Sequence, residues 1–268
     1  MLKYAFGMAA LASLMVGNFG VFGQNLPAAT VARLPEPARR AVNELTFERK
    51  AAELYARLGL AGNGLALPVF REGLAGFYNV RRASARAAAP AVLTLVDLSC
   101  SSQRKRLWVI DVAAGRVLFH TLVAHGKASG GDLAAAFSDQ PGSEMSSLGF
   151  YRTASAPYVG KHGLSLKLHG LDPGFNVNAE SRAVVVHGAP YVSDSFVQSH
   201  GRLGRSQGCP ALPEALAPAI VRAIQGGSVL YVHGPEQAGY RSHWLNPQGA
   251  GAALLASGSG EAGTGAGN

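Results

Sequence analysis

The sequence has few charged residues, and few of those are acidic. Of its 268 residues 15% are charged, with 16 Asp and Glu against 24 Lys and Arg, which gives a net charge of +8. It contains no nucleic-acid module and no single Lys/Arg block long enough to form an arm, so we expect no nucleic-acid partner. The positive charge suits a polyanionic surface such as a cell envelope. A hydrophobic content of 48% is ordinary for one globular domain with appendages.

The first 35 residues contain no acidic residue, and they open with Lys3 followed by an apolar stretch over 5–16. This pattern predicts a secretory signal peptide over residues 1–23, with the small residues Val21 and Gly23 at its cleavage site. Glycines interrupt the run before it could cross a bilayer as a stable helix. We therefore expect an exported product, periplasmic or associated with the cell envelope, with no stable membrane span after cleavage. An uncleaved anchor is the alternative.

The remaining chain is predicted to have three parts. Apolar residues recur at three- and four-residue steps from Leu34 to Tyr78, which indicates an N-terminal helical segment over 24–90. Residues 91–236 are predicted to form the catalytic domain, and 237–268 a Gly/Ala-rich tail. From Gln248 onward that tail is almost entirely Gly, Ala and Ser, which predicts disorder.

Short β-rich runs bounded by turns fill the predicted catalytic domain. They lie at 92–97, 106–112, 117–123, 148–151, 164–168, 183–186 and 228–232. Residues 113–116 link the second and third runs as a hairpin, and 214–224 predicts one helix. This series indicates a mainly-β sandwich or barrel with a few short helices.

Two segments carry the candidate chemistry. The first is Val-Val-His-Gly-Ala at 185–189, at the end of an apolar strand, and the second is Gly-Arg-Ser-Gln-Gly-Cys-Pro-Ala at 204–211. The loop between them is long enough to bring His187 and Cys209 together. A free thiol is mostly protonated at neutral pH, and a neighbouring imidazole can take its proton. Gly208 allows a tight turn, and the N–H groups of Gly208 and Cys209 are candidates to stabilise an oxyanion.

Together these segments resemble the bacterial L,D-transpeptidase (YkuD-type) catalytic domain, which is marked by a His-Gly on a strand and a following Ser-x-Gly-Cys. The Gly-Arg-Ser-x-Gly-Cys-Pro-Ala form is similar to one subgroup, and the resemblance covers about residues 91–235. It implies a YkuD-like β-sandwich or barrel without metal or organic cofactor. Cys209 would be the acylated nucleophile and His187 its base. Supporting or oxyanion roles would fall to Ser206, Gly208 and Gly188.

The resemblance also implies a substrate class, the stem peptides of peptidoglycan. Cys209 would attack the carbonyl of the third stem residue, a diamino acid, and release the terminal D-alanine to leave a thioester. An amine of another stem would complete a crosslink, and an envelope protein is an alternative acceptor. If water attacks instead, the enzyme is an L,D-carboxypeptidase.

The sequence departs from the commoner family pattern beside the cysteine. That pattern has a histidine before the Gly-Cys pair and Ile/Val-Arg after it, where this chain has Gln207, Pro210 and Ala211. An arginine charge is therefore missing from its usual place. Arg205 is the candidate replacement for binding a substrate carboxylate, and Arg202 is the other arginine in that loop.

Other interpretations of the same residues remain open. Cys100 and Cys209 could form one disulfide, as is common in exported proteins. A zinc peptidase could use His187, His200 and Cys209 as ligands, although the chain has no His-x-x-x-His or Cys-x-x-Cys pair. A non-catalytic wall-binding protein would use the basic surface alone. The histidines outside the motif are expected to be structural or surface residues, with His162 and His200 the first to examine for proximity to the site; the others are His120, His125, His169, His233 and His243.

Overall fold

The computed structural model describes residues 26–84 and 89–261. The predicted signal peptide lies outside these ranges. None of the helices in these two ranges combines the length and the hydrophobicity that a transmembrane span requires. The chain divides into two compact units, one of residues up to Glu48 together with those from Pro247 onward, and one spanning Arg49–Asn246.

Nine strands of the described chain form one mixed sheet in the larger unit. They are β1 (Val92–Asp97), β2 (Leu107–Asp111), β3 (Arg116–Thr121), β4 (Gly149–Thr153), β5 (Tyr158–Gly160), β6 (Gly163–Gly170), β7 (Val185–Ala189), β8 (Ala211–Pro213) and β9 (Val229–His233). The strand order is β3-β2-β1-β9-β4-β6-β7-β8, with β5 added on β6. The β1/β9 and β7/β8 pairs are parallel, and the other pairs are antiparallel.

The two ends of this sheet meet, so the sheet forms a nearly closed barrel. Just after β3, Ala124 bridges Ala211 of β8, and Gly126 bridges Ser206. Closure removes most of the unpaired edge that an open sheet would expose. The predicted mainly-β sandwich or barrel is confirmed in its barrel form.

The helices are α1 (Ala28–Ala32), α2 (Glu36–Arg57), α3 (Leu67–Ala83), α4 (Asp194–His200), α5 (Ala217–Ile224) and α6 (Pro247–Glu261). Helix α3 packs on the sheet through two glycines. A Cβ at Gly73 would lie 2.1 Å from Leu95, and one at Gly76 would lie 2.0 Å from the Phe150 ring. Because glycine has no side chain there, the helix backbone can approach the strands closely.

Most secondary-structure predictions agree with the structure. Each of the seven β-rich runs overlaps one strand, and the helical pattern from Leu34 to Tyr78 corresponds to α2 and α3. Helix α5 begins at Ala217, later than predicted, because Pro218 fits the first turn of a helix and the chain before it forms a turn closed by Leu216 N–H to the Pro213 carbonyl. The three-residue strands β5 and β8 were not predicted.

The prediction of a disordered tail is wrong for two stretches. Tyr240 and Ser242 donate hydrogen bonds to the carboxylate of Asp172, so the chain after residue 236 belongs to the larger unit. Helix α6 then occupies much of the stretch predicted to be disordered. Alanine and leucine favour helix, and a Cβ at Gly251 would meet the Asn43 carbonyl oxygen at 1.8 Å, which shows close packing in the smaller unit. Residues 262–268 lie outside the described chain.

Candidate active site

Strands β7 and β8 place the two candidate reacting residues side by side. His187 on β7 lies opposite Ala211 in the parallel ladder, and Cys209 comes two residues before Ala211. Alternation along β7 directs Val186 into the main core, while Val185 and His187 line a pocket on the other face. The pairing of β7 with β8 therefore places the side chains of Cys209 and His187 in the same pocket.

The thiol turn, defined here as residues 204–210, is held by Ser206. The Ser206 hydroxyl accepts a hydrogen bond from Gly208 N–H at 3.1 Å and donates one to the Cys209 carbonyl at 2.6 Å. The Ser206 N–H donates to the His125 carbonyl at 3.0 Å. The Gly208 N–H is therefore already hydrogen-bonded to Ser206. The neighbouring Cys209 N–H has no hydrogen-bond partner among the described residues.

Gly208 is required by the backbone of the thiol turn. Its φ of 117° belongs to the region that side chains rarely adopt, and a Cβ would lie 2.7 Å from the Met145 carbonyl oxygen. Gly188 has a different reason to be glycine: a Cβ there would lie 3.1 Å from Ala217 Cβ, at the start of α5. Gly188 thus allows β7 to pack closely against α5.

The Cys209 sulfur lies near the start of β7. It accepts a hydrogen bond from Val185 N–H at 3.4 Å and lies 3.7 Å from the Ala183 carbonyl oxygen. Burial raises the pKa of the Cys209 thiol above its ordinary value. The Val185 bond and the charges of Arg182 and Lys161 oppose that rise but do not cancel it.

The His187 ring is oriented by its own strand and by a hairpin. It is only 3% exposed. Its Nδ1–H donates to the Gly188 carbonyl at 2.8 Å, so the ring's Nε2 is the nitrogen available to accept a proton. The His162 ring, between β5 and β6, stacks on it with centroids 4.5 Å apart. Burial lowers the pKa of His187, and the nearby charges of His162 and Lys161 add to this, while the Gly188 bond opposes it.

Cys209 and His187 share a pocket of about 480 Å³. No hydrogen bond joins the thiol directly to the imidazole within the described chain. The lining contains three Lys or Arg residues, two His and no Asp or Glu; its members are Tyr158, Gly160, Lys161, His162, Ser165, Arg182, Ala183, Val185, His187, Tyr191, Arg205, Ser206, Gln207 and Cys209. A pocket of this kind favours ligands that carry negative charge.

Arg205 lines this pocket, as its predicted role requires. Its Nη1 donates to the carbonyl oxygens of Gly130 at 2.9 Å and Lys127 at 3.4 Å, which leaves its other nitrogens for a ligand. Arg202 instead donates to the Leu203 carbonyl and does not line the pocket.

The structure does not assemble the alternative zinc set. His200 stacks on Phe196 in α4, with ring centroids 4.0 Å apart, and it does not line the pocket of His187 and Cys209. Across the described residues no three His, Cys, Asp or Glu side chains are grouped to hold a metal ion. The disulfide alternative is also wrong, because both cysteines are free and the Cys100 thiol donates to Asp97 at 3.3 Å.

Four cationic or aromatic residues of this pocket were not recognised from the sequence: Tyr158, Lys161, Arg182 and Tyr191. Lys161 is on the β5–β6 hairpin, which pattern analysis missed because β5 is short. Arg182 directly precedes an apolar strand, and an isolated arginine there is equally typical of a solvated surface. Only the tertiary fold brings these residues to the thiol turn.

Comparison with known proteins identifies the family. The model of the L,D-transpeptidase catalytic domain matches residues 62–233, and the chain belongs to this family. This match begins at residue 62, whereas the resemblance inferred from the motifs begins at about residue 91. The matched region therefore also includes helix α3.

Solved structures give more distant similarities. An L,D-transpeptidase from Mycobacterium smegmatis is 19% identical, with a TM-score of 0.33, over 53% of this chain and 58% of that one. L,D-transpeptidase 3 from Mycobacterium tuberculosis, in complex with a faropenem-derived adduct, is 15% identical, with a TM-score of 0.34, over 54% and 60%. The chain thus spans less than two thirds of either relative. No curated protein matches the sequence.

Proposed function

We propose that this protein is a cysteine-dependent L,D-transpeptidase that acts on peptidoglycan stem tetrapeptides. Family membership supports the class of reaction. The observation that carries the proposal for this chain is that His187 on β7 and Cys209, just before the adjacent parallel strand β8, line one basic pocket. A stem tetrapeptide carries free carboxylates, which the charge of that pocket complements.

In the first half of the reaction, His187 Nε2 takes the proton of the Cys209 thiol and the sulfur attacks the carbonyl carbon of the third stem residue. The Cys209 N–H is the candidate donor to the resulting oxyanion. Collapse of the tetrahedral intermediate breaks the amide bond, and His187 returns the proton to the departing amine of D-alanine. A thioester on Cys209 remains.

In the second half, an amine attacks the thioester carbonyl and the sulfur leaves, with His187 again carrying the proton. A side-chain amine of another stem gives a crosslink, and an envelope protein amine gives attachment. Attack by water gives L,D-carboxypeptidase trimming. The reaction products of purified protein distinguish these acceptors.

We further propose that the mature protein acts in the periplasm or at the cell envelope after removal of residues 1–23. The support is the N-terminal charge and apolar pattern together with the location of the substrate. N-terminal sequencing of the protein recovered from its host tests the cleavage site.

Intact-mass measurement of the purified protein tests the proposed reaction. With a tetrapeptide donor or a carbapenem, we expect a covalent adduct on the wild type and on Cys100→Ala, and none on Cys209→Ser, which keeps a small side chain in the turn. An adduct that persists in Cys209→Ser would identify another nucleophile. If no donor forms an adduct with folded wild type, the wall-binding interpretation is favoured.

A further inference from the structure

Arg182 is held rigidly by one loop of the larger unit. Its side chain is only 4% exposed. Nη1 donates to the Ser138 carbonyl at 2.8 Å and to the Ser147 hydroxyl, and Nη2 donates to the Met145 carbonyl at 2.7 Å and to the Ser143 hydroxyl at 3.2 Å. All four acceptors belong to the serine loop, defined here as residues 138–147. These four acceptors are neutral, and the carboxylate that faces the guanidinium is that of Asp139 in the same loop, with Oδ1 3.7 Å from Nη1.

The same guanidinium lies against the thiol turn. Arg182 and Cys209 line one pocket, and a Cβ built on Gly208 would lie 3.3 Å from Arg182 Nη2. The residue after Arg182, Ala183, places its carbonyl oxygen 3.7 Å from the Cys209 sulfur. The Arg182 guanidinium therefore packs against the thiol turn at Gly208, and the backbone of Ala183 packs against the Cys209 sulfur.

Backbone strain occurs on both sides of this contact. Within the described chain, the residues other than glycine with positive φ are Glu144 and Ala183, each at 54°. Glu144 directly precedes Met145, an acceptor of Arg182, and Ala183 directly follows Arg182. Such conformations persist where the surrounding structure forces them, and they are concentrated at functional sites.

We propose that Arg182 is a positioning residue for the Cys209 nucleophile, which it supports with a fixed positive charge and by holding the serine loop against the thiol turn. The inference rests on the proposed function, in which Cys209 is acylated. It also accounts for Pro210 and Ala211 at the places where the commoner family pattern has an apolar residue and an arginine. In this protein the positive charge beside the thiol comes from Arg182, which precedes β7, and not from a residue that follows the cysteine.

The charge balance around the sulfur supports this role. The guanidinium opposes the effect of burial on the pKa of the Cys209 thiol, as does Lys161, which is exposed on a hairpin and therefore screened by solvent. Asp139 is the counter-charge of Arg182, with Oδ1 3.7 Å from Nη1 and an exposure of 7%. The other titratable groups that line the pocket or face the guanidinium are His162, His187, Tyr151, Tyr158, Tyr191 and Arg205.

The test measures the thiol itself and not transpeptidation. In a Cys100→Ala background, the rate of Cys209 alkylation by iodoacetamide is followed by intact mass from about pH 6 to about pH 10, the range in which thiols ionise. Burial raises the pKa of Tyr191 and Tyr151 and lowers that of His187, so their ionisations lie toward or beyond the ends of this range. Because iodoacetamide reacts with the thiolate, the profile follows ionisation of the Cys209 thiol within the thiol–imidazole pair.

Three variants separate charge from packing. Arg182→Gln should move the profile to higher pH and slow alkylation at pH 7 about tenfold, the effect of one pKa unit. Arg182→Lys keeps the charge and should restore most of the rate. Asp139→Asn keeps the shape and can still accept from Asn178 N–H, but it removes the counter-charge, so its profile should move to lower pH.

Opposite shifts in Arg182→Gln and Asp139→Asn support the charge role, since a merely structural contact would not give shifts of opposite sign. Circular dichroism identifies variants that do not fold. If Arg182→Gln does not fold, Asp139→Asn and Arg182→Lys decide the question. An unshifted profile in folded Arg182→Gln, or a shift of Asp139→Asn to higher pH, overturns the proposal. Normal shifts without any acyl adduct would instead contradict the proposed function alone.

Discussion

Burial acts on the thiol and the imidazole in opposite directions. It raises the pKa of Cys209 and lowers the pKa of His187, so both effects favour a neutral thiol beside a neutral imidazole. A neutral imidazole with Nε2 free is the form that can accept a proton. Proton transfer is therefore expected to accompany attack on the substrate and not to precede it as a stable ion pair.

This arrangement predicts a large effect of removing His187. His187→Ala should slow acylation of Cys209 by at least about a hundredfold, the usual scale for a positioned general base. The rate of the wild type should rise with pH through one ionisation that belongs to the thiol–imidazole pair. Stopped-flow acylation with a carbapenem measures both.

The matched controls for that variant are His120→Ala and His243→Ala, since neither residue lines the pocket. Both should acylate near the wild-type rate. If His187→Ala itself reacts at the wild-type rate at neutral pH, another histidine is the base, and His162, whose ring stacks on His187, becomes the first to test.

Arg205 gives a second prediction at the scale of one residue. A bidentate arginine–carboxylate contact has a geometry that lysine cannot copy, so Arg205→Lys should weaken use of a tetrapeptide donor nearly as much as Arg205→Ala. Acylation kinetics over a range of donor concentrations measure this. Wild-type kinetics in both variants would limit Arg205 to its contacts with the Gly130 and Lys127 carbonyls.

The sequence allowed the site's motif residues to be predicted more readily than their partners. Cys209, His187 and Gly208 lie in short segments whose spacing along the chain identifies them. Arg182 reaches the thiol turn only because the serine loop folds between them, and no local pattern encodes that contact. Residues that act through tertiary neighbours are for this reason harder to recognise than residues in a motif.

At the scale of elements, the thiol turn is predicted to be intolerant of a side chain at Gly208. Gly208→Ala would place a Cβ 2.7 Å from the Met145 carbonyl at a φ of 117°, at a cost of about 1–3 kcal/mol. We expect a lower melting temperature and at least tenfold slower acylation, because the turn must move to relieve the contact.

Gly131→Ala is the matched control for Gly208→Ala, since a Cβ at Gly131 meets no atom within 4 Å. It should change neither the melting temperature nor the acylation rate by much. Wild-type behaviour of Gly208→Ala in both measurements would show that the turn adapts without loss.

Elements were predictable where the local pattern was long. The strands of five or more residues and the long helices α2 and α3 were recognised from hydrophobic patterns. Strands β5 and β8 have three residues each, too few for alternation to be visible, and they exist because β6 and β7 pair with them. Helix α6 was missed because its glycines suggested disorder, whereas close packing is what they permit.

For the larger unit as a whole, one polar cluster joins helix α3 to the barrel. The Glu72 carboxylate accepts a hydrogen bond from the Tyr231 hydroxyl at 2.7 Å and lies 2.9 Å from His233 Nδ1 on the same strand, β9. Burial alone would raise the pKa of Glu72, but these hydrogen bonds and the charges of His233 and Arg71 outweigh it, so the pKa is lowered. The ionised carboxylate is therefore the form that the fold stabilises.

This shift predicts how stability depends on acid. A carboxylate whose pKa is lower in the folded state contributes stability that is fully present above its ordinary pKa of 4.5 and is lost as pH falls through the folded value.

Glu72→Gln should be about 1 kcal/mol less stable than wild type at neutral pH, the usual scale for such hydrogen bonds. The difference should shrink below pH 4.5, because the wild type has then lost the same contribution. Urea unfolding at several pH values measures both trends, with Glu236→Gln, a change at an exposed carboxylate, as the control. A constant difference between Glu72→Gln and wild type at all pH values would mean that packing of α3, and not ionisation of Glu72, carries the effect.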